Sequence, residues 1–90
     1  MPKFVIEREF PGAGNLTTDD LRGVSLKSNE VIEKMSPNIQ WIQSYITNDK
    51  IYCVYNAKTE DLVRDHAQQA GFPADVVSQV STVIDPITSE

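Results

Sequence analysis

The chain has one cysteine, one histidine and one tryptophan among its 90 residues, and each scarcity closes a class of function. A lone cysteine excludes an internal disulfide and any multi-cysteine zinc or iron–sulfur site. A lone histidine means that a Ser-His-Asp or Cys-His machine within one chain has to centre on His66. Gly12-Ala-Gly14 lacks the extended pattern of a phosphate-binding loop and reads as a turn. No apolar run approaches the roughly 20 residues that a membrane span requires. Basic residues are few, 8 against 13 acidic ones, and the net charge of −5 is scattered rather than blocked. That balance argues against nucleic acid and anionic membrane surfaces as partners. The opening Met1-Pro-Lys-Phe-Val-Ile-Glu7 enters a strand pattern with no apolar signal region, so a cytoplasmic location is expected.

What is present is an ordered series of short periodic segments. Lys3 to Phe10 alternates, with Phe4, Ile6 and Phe10 on one side and Val5, Glu7 and Glu9 on the other. Thr17 followed by Asp20 resembles a capping box and starts a helix, whose buried stripe is Leu21, Val24, Ser28, Val31, Ile32 and Met35. Ser36-Pro37-Asn38 stops it. Trp41 to Asn56 then reads as a hairpin turning at Asn48-Asp49. In that register Tyr45 faces Tyr52 and Gln43 faces Val54. Strict alternation places Trp41, Gln43, Tyr45, Tyr52, Val54 and Asn56 on one face, and Ile42, Ser44, Ile46, Ile51, Cys53 and Tyr55 on the other. Cys53 is expected as a small core residue. Thr59 caps a second helix with Leu62, Val63, His66, Ala67 and Ala70 inward, and Gly71-Phe72-Pro73 ends it. A last strand is expected over about Val76 to Ile84, before a polar tail.

The order β-α-β-β-α-β implies an α+β, ferredoxin-like sandwich: one four-stranded antiparallel sheet with both helices on one face, in a single domain. The expected core is Phe4, Ile6, Ile42, Ile46, Ile51, Tyr55, Val80 and Ile84. The bare face then carries Glu7, Trp41, Gln43, Tyr45, Tyr52, Val54, Ser81 and Val83. A face this aromatic predicts a homodimer, because a small domain buries little of its own surface. Glu7, Trp41, Gln43, Tyr45 and Tyr52 are the candidate ligand-binding residues at that interface, with pure dimer packing as the alternative. Glu7 is either a cation ligand or base, or an exposed edge charge. His66 reads as a packed or partly exposed helix residue or as a base.

Val5-Ile-Glu-Arg8, Pro11-Gly-Ala-Gly14, Gln40-Trp41, Ser44-Tyr45, Asp49-Lys-Ile-Tyr-Cys-Val-Tyr55, Arg64-Asp-His-Ala67, Gly71-Phe-Pro-Ala74 and Val83-Ile-Asp-Pro86 together resemble the small bacterial nickel-binding-protein-like family over nearly the whole chain. The resemblance implies a ferredoxin-like fold, a homodimer and, in at least one branch, bound nickel. It also implies a departure, since Gln43 stands where many relatives carry histidine, and an amide is a poorer transition-metal ligand than imidazole. His66 matches the family pattern. His66 and Glu7 are therefore the expected ligands of nickel or another divalent transition metal, with His66 the one imidazole per subunit. The expected function is a homodimeric binding protein that takes a metal or small molecule near the intersubunit sheet face. A cofactor-independent dimeric α+β barrel enzyme of oxygenase or isomerase type, or a ligand-free structural or regulatory dimer, fits the same element order.

Overall fold

Alternation in Lys3–Glu9 builds the first strand, β1, of a computed structural model that describes residues 1–90. There follow α1 (Thr18–Met35), β2 (Ile39–Ile46), β3 (Lys50–Ala57), α2 (Glu60–Ala70) and β4 (Val76–Gln79). All strand pairings are antiparallel, in the order β2-β3-β1-β4, and both helices cover the same face. This is the ferredoxin-like arrangement. No helix is long and apolar enough to cross a membrane.

Local chemistry explains each helix boundary. The Thr17 hydroxyl accepts from the Asp20 amide at 3.1 Å, and the Asp20 carboxylate accepts from the Thr17 amide at 3.0 Å, so two orphan donors of α1 are satisfied reciprocally. The same backbone bond holds the Asp20 carboxyl below its ordinary 3.8. At the end of α2, Gly71 adopts the left-handed conformation at φ 78° and the Phe72 amide bonds back to the Ala67 carbonyl at 2.9 Å. That turn brings Phe72 back toward the sheet. Between them the core assembles from Phe4, Ile6, Ile39, Ile51, Cys53, Tyr55, Ala57 and Val63, with Cys53 buried as expected.

Two expectations about parity are corrected. In β2, Tyr45 pairs with Tyr52 and Gln43 with Val54, but Trp41 pairs with Tyr55. One extra residue, Ile42, is bulged out between them, and a bulge reverses the side on which every residue beyond it points. Trp41 therefore packs on the helix-covered side against the core, while Ile42 is 46% exposed rather than buried. Ile46 is also more exposed than a core residue, at the open end of the strand. The second correction concerns β4, which ends at Gln79. Val77 pairs with Ile6 and is the residue that packs on the core, whereas Val76 lies opposite Glu7. Ser81, Val83 and Ile84 lie beyond the sheet and are exposed, since no partner strand offers them a ladder.

Candidate functional site

Two surfaces of the sheet carry chemistry. On the uncovered face, β1, β3 and β2 align Glu7 opposite Tyr52 and Tyr52 opposite Tyr45, with Val5, Val54 and Gln43 in the next row. The structure therefore brings together Glu7, Gln43, Tyr45 and Tyr52, and excludes Trp41. The Gln43 amide donates to the Tyr45 hydroxyl. Lys50 reaches Glu7 at 2.7 Å and Glu9 at 3.4 Å. The hydrogen bond to Glu7, above all, raises the Lys50 ammonium above its ordinary value and keeps it charged. Glu7 is thus neither a bare cation ligand nor a free base. Its partner occupies it, and being half-exposed the pair adds little stability.

The covered side is different in character. His66 is completely buried, its Nε2 lying 3.2 Å from the Ser28 hydroxyl and 3.4 Å from the Ser28 carbonyl, and its ring tilts against Tyr55 at 5.1 Å between centroids. A carbonyl only accepts, which favours the proton on Nε2 and leaves Nδ1, itself without a partner, with the lone pair. Burial lowers the imidazole below its ordinary 6.5 and nearby Arg8 adds to that, against the opposing bond to Ser28. His66 is a neutral packing residue that ties α2 to α1. Burial likewise raises the Tyr55 hydroxyl, keeping it protonated.

Beside it lies a partly open apolar cavity of about 240 Å³, between the sheet, the first half of α1 and the Phe72-Pro73 turn. Trp41 forms part of its wall, its indole N–H donating to the Ser44 hydroxyl at 2.9 Å, which in turn contacts the Cys53 sulfur at 2.9 Å. Arg8 also faces this cavity. Strand alternation alone places Arg8 with Phe4 and Ile6 on the core side, so the signal was available in the sequence: a cation at a position where the pattern demands an apolar residue.

The two expected metal ligands lie on opposite sides of the sheet, and nowhere do three His, Cys, Asp or Glu side chains gather as a metal would require. A family model described as nickel responsive protein SCO4226-like matches residues 4–80. The chain belongs to that family. Among solved structures, the crystal structure of SCO4226 from Streptomyces coelicolor A3(2) is similar with a TM-score of 0.77 at 20% identity, covering 91% of this chain and 99% of that one. At that identity the likeness shows a shared fold. No curated protein matches the chain.

Proposed function

We propose that this member of the family is a non-catalytic binding protein that works as a homodimer, its subunits joined across the uncovered sheet face. The observation that supports the reading is that face itself. Tyr45, 54% exposed, stands beside half-buried Tyr52, Val5 and Val54, while the charges among them are already neutralised as Glu7–Lys50. Aromatic residues around a paired charge form a surface that can be desolvated cheaply.

The family description points to nickel, and the donors of this chain fit it poorly. The one imidazole is sealed behind Ser28 and Tyr55, and Glu7 is held by Lys50. In this reading nickel binds weakly at most. Substituting Gln43→His places an imidazole from each subunit on the joined faces, and tighter binding follows because imidazole is the better ligand.

Sedimentation and calorimetry of untagged protein test both parts. A dimer at micromolar concentration that Tyr52→Glu dissociates, with nickel affinity raised by Gln43→His, is the expected result. A stable wild-type monomer defeats the dimer, and tight nickel binding by wild type that is indifferent to position 43 defeats the metal assignment.

A further inference from the structure

We propose that the cavity on the helix-covered side is a binding site for a small monocarboxylate with an apolar body. Arg8 is 2% exposed, and its Nε, Nη1 and Nη2 atoms have no hydrogen-bond partner. An unpaired guanidinium in an apolar interior is a costly arrangement, which a bound counter-anion relieves. No carboxylate of the chain supplies it. Glu7 and Glu9 point to the other face and meet Lys50, and Asp75 accepts from the Glu9 amide at 2.7 Å. The Phe72 ring lies 5.7 Å from the guanidinium carbon, supporting one face of the fork by a cation–π contact.

The cavity dictates the rest of the ligand. Leu21, Val24, Trp41 and Ile46 line it with apolar surface, and Arg8 is its one charged wall residue. One charge suits a monoanion, because a dianion such as phosphate would bury a second charge without a partner. Carboxylate oxygens match the guanidinium fork in bidentate geometry. Apolar cavities of about 150 Å³ accept benzene, so about 240 Å³ accommodates an aryl ring or short alkyl chain bearing a carboxylate. The site lies wholly within one chain and is independent of the homodimer.

Trp41, the only tryptophan, stands in the cavity wall and reports occupancy by its fluorescence. Titration with 3-phenylpropionate and with octanoate should change that emission saturably and raise Tm, while the neutral analogue 3-phenylpropan-1-ol binds about ten- to a hundredfold more weakly. Arg8→Met removes a buried unpaired charge, so the variant should fold at least as well as wild type and lose the preference for acid over alcohol. Arg8→Lys should keep the preference at lower affinity, because an ammonium retains the charge without the fork. Wild type that binds neither acid, or binds acid and alcohol alike, overturns the proposal. So does an Arg8→Met variant that keeps the preference, or displacement of the acid by inorganic phosphate at equal concentration.

Discussion

At the residue scale, the side chains that decide the chemistry are two that the strand and helix patterns place inside, Arg8 and His66. His66 is neutral in the folded protein and its value is lowered below the ordinary 6.5. In the window below 6.5 the unfolded chain takes a proton that the folded one refuses, so stability is complete above 6.5 and is lost as pH falls toward the folded value. Urea midpoints measured down that window should decline for wild type, and the decline should be shallower in His66→Gln. Equal slopes would show that His66 does not titrate as its burial requires. Asp20 carries the same sign in a lower window, since the stability linked to its N-cap bonds is lost only below 3.8. His66 was readable from its helix position as a packed residue. Its tie to Ser28 was not, because Ser28 lies 38 positions earlier in the chain.

At the element scale, the bulge in β2 explains why Trp41 left the face on which strict alternation placed it. Pairings on both sides of Ile42 already share one parity, with Ile39, Trp41, Ser44 and Ile46 all directed toward the covered side. Deleting Ile42 should therefore give a folded protein with a regular strand and with Trp41 still in the cavity wall. Unchanged tryptophan emission is the expected readout, and a shift to that of a solvated indole would refute the register. The turn after β1 makes a second element-scale device. The Gly14 amide donates to the Asn48 carbonyl at 3.0 Å, and a Cβ at Gly14 would stand 3.0 Å from Asn48 Oδ1 and 3.1 Å from its Cα. Backbone cannot give way as a side-chain tip can. Gly14→Ala should cost about 1–2 kcal/mol in denaturant unfolding, by prising this turn off the hairpin. A variant as stable as wild type would show that the approach is looser than the geometry states.

At the scale of the whole molecule, the two proposed roles fall on two faces of one sheet. The uncovered face carries Glu7, Gln43, Tyr45 and Tyr52, and a charge there should affect association. The covered face buries Arg8 in the wall of a cavity, and a change there should affect ligand binding. Tyr52→Glu and Arg8→Met are thus expected to act independently: the first changes sedimentation and leaves 3-phenylpropionate binding to the monomer intact, and the second does the reverse. Calorimetry and sedimentation on both variants and on their combination check it. Coupling between them would show that the cavity is shaped by the partner subunit.

The element order, the capping of both helices, the hairpin turn at Asn48-Asp49 and the faces of β1 and β3 all follow from the sequence, because each depends on residues within a few positions of one another. Period-two alternation is a local rule, and it correctly joined Glu7, Gln43, Tyr45 and Tyr52 on one face. What only the tertiary structure decided lies where a local rule is broken by a distant partner. The bulge at Ile42 exists in the pairing of β2 with β3, and it alone moved Trp41 into the cavity wall. The length and parity of β4 were set by the ladder that β1 offers, which ends at the pairing of Phe4 with Gln79. The isolation of Arg8 is likewise a property of the assembled sheet, which turns Glu7 and Glu9 away toward Lys50 and leaves the guanidinium facing apolar walls.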